Sequence, residues 1–82
     1  MHIESIKNET ILEKHQIIEL KVRGKKEVLE KFFSVIQDGF DLAHDEWDDK
    51  LNMLTMTFDY KPKEQTMNMI KSFTKDFINN LN

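Results

Sequence analysis

The amino-acid sequence predicts a small α+β domain with the order β-α-β-β-α, with or without an additional N-terminal strand. Its antiparallel or mixed sheet is expected to carry both helices on one face. Three observations point there. Residues 17–23 alternate apolar and polar with the period of a strand. Residues 25–37 and 62–81 repeat apolar side chains at spacings of three and four. Two further alternating runs, 40–47 and 51–60, flank Asp48-Asp49-Lys50 as the arms of a hairpin.

The first fifteen residues are ambiguous. His2-Ile3-Glu4-Ser5-Ile6 fits a short edge strand, whereas Ile3, Ile6, Thr10 and Ile11 have rough helical spacing. A weak strand or irregular arm is expected. The next segment is clearer: Ile18, Leu20 and Val22 point one way, and Glu19, Lys21 and Arg23 the other. Gly24 breaks the pattern and permits the turn into a helix.

In the first helix, Val28, Phe32 and Ile36 recur at i, i+4 and i+8, and Leu29, Phe33 and Val35 widen the stripe. Glu27 and Lys31 form a favourable i,i+4 pair. Gly39 suits the left-handed residue that closes a helix at about Asp38, with Phe40 contacting Val35.

Leu54, Met56, Phe58 and Tyr60 share one face of the second hairpin arm; Phe40, Leu42, His44 and Glu46 share one face of the first. Bringing both apolar faces to the core pairs Phe40 with Phe58, Leu42 with Met56 and Trp47 with Leu51. That register implies a three-residue loop. The second arm is expected between the other two strands. The sheet face away from the helices would then show Ile17, Glu19, Lys21, Arg23, Ala43, Trp47, Leu51, Met53, Thr55 and Thr57. Pro62 fits the first position of the last helix and Glu64 its positive end. Met67, Ile70, Phe73, Phe77 and Leu81 form its stripe, bordered by Thr74 and Ile78, making it the longest expected element.

Residues 1–82 make one domain, and one this small must rely on packing or self-association. There is no cysteine, hence no disulfide framework and no thiolate zinc site. No apolar run exceeds three residues, so no membrane span is expected. Met1-His2-Ile3-Glu4-Ser5 lacks the basic start of a signal peptide, which makes the cytoplasm the expected location. Arg23 is the only arginine, and lysine, asparagine and isoleucine are frequent, a bias of AT-rich genomes such as low-GC bacteria, their plasmids and their phages.

The net charge of −3 is unevenly spread. Asp38, Asp41, Asp45, Glu46, Asp48 and Asp49 give the twelve residues 38–49 a charge of −6, leaving +3 for the other seventy.

Catalysis has no visible machinery. Ser5, Ser34 and Ser72 lie in no glycine-rich turn, and two glycines cannot build a phosphate cradle. The expectation is a protein that is not an enzyme and takes no cofactor. His44, Asp45, Glu46, Asp48 and Asp49 cluster, but they lack the glycine and terminal glutamate of a calcium loop. They read as a solvated acidic hairpin, without metal. His44 falls on the inward face as a hydrogen-bonded rim residue. Most of the five methionines read as core filler, Met56 and Met67 on the apolar stripes. Met53 is expected on the outer face with Trp47 and Leu51.

Trp47, the only tryptophan, stands among carboxylates at a hairpin end. One reading makes it an interaction anchor with a polar rim. The other folds it over a neighbouring element, such as the N-terminal arm, to close a secondary core. The sequence thus favours a small protein-binding module, a regulator or inhibitor. Its contact residues would be Asp41, Asp45, Glu46, Trp47, Asp48, Asp49, Leu51 and Met53, and its partner a protein with a basic surface. A narrower version has the acidic row imitate DNA phosphates and block a host nucleic-acid-binding protein. A homodimer or larger homo-oligomer, joined through a strand edge or Trp47, competes with it. Nucleic-acid binding by the sheet face, using Lys21 and Arg23 with lysines 61, 63, 71 and 75, is disfavoured by the acidic hairpin and the absence of paired aromatics.

Overall fold

The computed structural model describes residues 1–12, 15–60 and 66–81. They form β1 (His2–Leu12), β2 (His15–Arg23), α1 (Lys26–Gly39), β3 (Leu42–Asp48), β4 (Met53–Tyr60) and α2 (Thr66–Asn79). The four strands make one antiparallel sheet in the order β1-β2-β4-β3. The domain is α+β, and β4 lies between β2 and β3 as expected.

The two central strands define the core. Ile18 stands opposite Phe58, Leu20 opposite Met56 and Val22 opposite Leu54, and all six side chains are fully buried. Leu29, Phe32 and Ile36 of α1 and Ile70 of α2 close on the same face. Phe32 meets Phe77 at 5.0 Å and Phe73 at 6.3 Å between ring centroids, so tilted aromatic pairs bind the two helices together. At one end Phe40 joins β4 to α2, lying 6.3 Å from Phe58 and 5.6 Å from Phe73.

The N-terminal segment is a full strand of 11 residues, paired along β2. Ile3 stands opposite Val22 and Ile6 opposite Leu20, both on the helix-covered face. Their spacing of three looks helical because a register shift between Ile3 and Ser5 inserts one residue, Glu4, into the strand.

α1 runs to Gly39, one residue past the expected stop at Asp38, and its end departs from the left-handed cap. Gly39 does not have a positive φ. Phe40 leaves the helix in an extended conformation, its N–H still donating to the Ile36 carbonyl at 3.0 Å. Phe40 therefore packs on Phe58 and Phe73 rather than forming the closing contact with Val35, which is exposed. Gly24 also has no positive φ; what it provides is space, since a Cβ there would lie 3.0 Å from the Met1 Cα.

Among the described residues α2 has 14 residues, as many as α1. Its buried row is Thr66, Ile70 and Thr74, with Met67, Phe73 and Phe77 half-buried beside it. Thr74 is fully buried because its hydroxyl donates to the Ile70 carbonyl at 2.7 Å. Leu81 is exposed beyond the helix end. Pro62 and Glu64 lie outside the described residues.

The hairpin register corrects the expected one. Leu42, not Phe40, stands opposite Phe58. A shift between Leu42 and His44 then makes Ala43 an extra residue, and beyond it His44 faces Thr57, Asp45 faces Met56, Glu46 faces Thr55, Trp47 faces Leu54 and Asp48 faces Met53. The bulge flips the phase of β3. Asp45 and Trp47 therefore share the helix-covered face, while His44 and Glu46 share the open one. The loop has four residues, 49–52, closed by Asn52 at a φ of 50°.

Candidate functional site

Asp38 lies in α1 and Asp41 just ahead of β3, while Asp45, Glu46, Asp48 and Asp49 lie on one edge of the sheet and the turn at its end. β3 is paired with β4 on one side, and among the described residues no strand lies on the other. Its carboxylates straddle that edge.

Trp47 is the pivot of the site. It is half-buried, its ring lying edge-on to Phe33 of α1 at 5.6 Å, and its Nε1–H donates to Asp45 Oδ2 at 2.9 Å. The expected trio of Trp47, Leu51 and Met53 on the outer face does not form. Trp47 turns to the helix side, Leu51 sits in the loop at 46% exposure, and only Met53 stays on the open face, beside Arg23 and Asp48. The Trp47 ring closes the α1 side of the core, away from the N-terminal strand.

The carboxylates do different work. Asp48 shapes the turn: its Oδ1 accepts the Lys50 and Leu51 backbone N–H groups at 3.0 and 3.1 Å. Asp49 is exposed and lies 3.6 Å from the Lys26 Nζ. Asp45 and Glu46 are exposed, and among the described residues no lysine or arginine pairs with either. Asp41 is exposed as well, its backbone N–H donating to the Tyr60 hydroxyl at 2.6 Å. Burial, reinforced by the nearby Asp41 carboxylate, raises the Tyr60 pKa; the bond from the Asp41 N–H opposes that shift. His44 is exposed on the open face, not at the inward rim.

A groove of about 440 Å³ runs between α1 and β3, walled by Phe33, Phe40 and Leu42, with Asp41 and Asp45 also lining it. On the open face Lys21 and Arg23 are engaged. Lys21 Nζ lies 3.9 Å from Glu19, Arg23 lies 3.9 Å from Glu4, and the Arg23 Nε donates to the Leu51 carbonyl at 3.1 Å.

Phe33 and Tyr60 were not singled out as site residues by sequence. Phe33 was visible as an apolar flank of the α1 stripe, but its contact with Trp47 depends on the bulge at Ala43. Among the described residues no three His, Cys, Asp or Glu side chains gather into a metal-holding group. Among the same residues no helix is long and apolar enough to cross a membrane. Comparison with protein-family models, curated proteins and solved structures returns no match.

Proposed function

We propose that the chain is a small non-enzymatic protein-binding module, a regulator or inhibitor, that engages a basic partner through β3 and the 49–52 turn. The observation that carries this reading is the exposure of Asp45 and Glu46 on opposite faces of an edge strand whose outer side has no strand against it among the described residues, with no cation of those residues paired to either. Such a one-sign edge attracts a basic surface over a Debye length, about 8 Å at physiological salt. Trp47 enters differently from an exposed anchor. Its ring is tied to Phe33, so it holds Asp45 in place and presents only part of its own surface.

The competing readings have less support. Association of β3 with its own copy would set carboxylates against carboxylates. Phosphate binding by the open face would have to displace Glu19 and Glu4 from Lys21 and Arg23. Imitation of DNA phosphates remains the special case in which the basic partner is itself a nucleic-acid-binding protein.

The test is capture of partners from a lysate of the source cells by the wild type and by the double variant Asp45→Asn/Glu46→Gln. The proposal expects a retained protein with a basic surface that is released by salt and lost with the double variant. Equal retention by both proteins at every salt concentration would overturn it.

A further inference from the structure

We infer that β3 receives an extended basic segment of the partner as a fifth strand of the sheet. This rests on the reading of the acidic hairpin as a protein-binding surface and names its docking mode.

The backbone supplies the first argument. Beyond the bulge, the pairing of β3 with β4 is regular from His44 to Asp48, and the far edge of that stretch has no strand against it among the described residues. Five regular residues match a common strand length, about 17 Å. Unpaired N–H and C=O groups along such an edge are a template for another chain.

Side-chain chemistry then selects the chain. A fifth strand would send alternate residues to each face of the sheet. On the open face its residues lie beside Glu46 and Asp48, where Lys or Arg forms favourable cross-strand pairs. On the helix face they run past Asp45 and Trp47 towards the groove at the Leu42 end of β3, which Phe33, Phe40 and Leu42 line together with Gln37, Asp41 and Asp45. The segment that fits is therefore cationic on the open face, and on the helix face it meets both the Trp47 ring and the Asp45 carboxylate. A second copy of β3 is rejected by the same carboxylates. The opposite edge of the sheet, β1, mixes Glu4, Lys7 and Glu9 and carries no field of one sign.

The experiment is a titration of isotope-labelled protein with a peptide of alternating lysine and valine, followed by amide chemical shifts and hydrogen exchange. The inference predicts shifts concentrated in residues 42–48 and slowed exchange in β3. A peptide of the same sequence with its central amides N-methylated should bind about tenfold more weakly or worse, because it cannot complete the ladder. Glu46→Gln should weaken the unmodified peptide several-fold, and Glu9→Gln on β1 should not. Equal binding of the N-methylated peptide, with sensitivity to Glu46→Gln retained, would end strand addition while leaving the acidic surface as the binding site. Binding insensitive to Glu46→Gln would end both readings. Absence of binding, or shifts centred on β1, would overturn the fifth strand.

Discussion

Trp47 donates its indole N–H to Asp45 two residues earlier on the same strand, at 2.9 Å, while its ring rests against Phe33 at 5.6 Å. One side chain thus ties a helix to an edge strand and orients a carboxylate of the proposed binding surface. The two roles separate by substitution. Trp47→Ala, which loses the ring contact, should cost about 2 kcal/mol of stability, below the value for a fully buried aromatic. Trp47→Phe keeps the ring and frees only Asp45, and should cost no more than about 1 kcal/mol. Urea unfolding of both variants checks the pair. Equal stability of Trp47→Ala and wild type would contradict the packing described.

Phe32 is fully buried and contacts both Phe73 and Phe77, whereas Phe73 is half-buried. Phe32→Ala should cost about 3–5 kcal/mol, and Phe73→Ala roughly half as much. A domain of this size has little stability to lose, so Phe32→Leu provides a milder step of about 1 kcal/mol. Chemical denaturation should rank the three in that order.

Gly39 ends α1 in a conformation open to any L-residue, and a Cβ there would meet nothing within 4 Å. Gly39→Ala should therefore raise stability by about 0.5–1 kcal/mol, by reducing the freedom of the unfolded chain. A lower melting temperature for the alanine variant would show that the helix end needs glycine after all.

Tyr60 is the only tyrosine, so its ionisation reads directly in the ultraviolet difference spectrum. Burial and the Asp41 carboxylate raise its folded pKa above the ordinary value of 10.0. The unfolded chain ionises first. The stabilisation is complete below pH 10.0 and is lost as pH rises from there through the folded pKa. Tyr60→Phe should remove this alkaline dependence. Titration of the folded protein at the ordinary tyrosine value would refute the direction.

The central strands and both helices were legible because period-two and period-3.6 patterns run through them unbroken. Both edge strands misled, for one shared physical reason. Glu4 in β1 and Ala43 in β3 each insert one residue and reverse the alternation beyond it. In β1 the inserted residue gave Ile3 and Ile6 a helical spacing. In β3 it moved Trp47 from the open face to the helix face and His44 the other way. No local composition marks these bulges: neither inserted residue is a glycine. The acidic segment itself was fully legible, since charge density survives a change of register. Which carboxylates shape the turn and which stand free was not, because Asp48 and Glu46 differ only in where the backbone places them.

The most direct measurement follows association of a captured partner with wild type and with Asp45→Asn/Glu46→Gln as ionic strength is varied. If the β3 carboxylates steer a basic surface, the double variant associates more slowly, its rate depends less on salt, and its melting temperature stays unchanged. Association rates and salt slopes identical to those of the wild type would contradict the account.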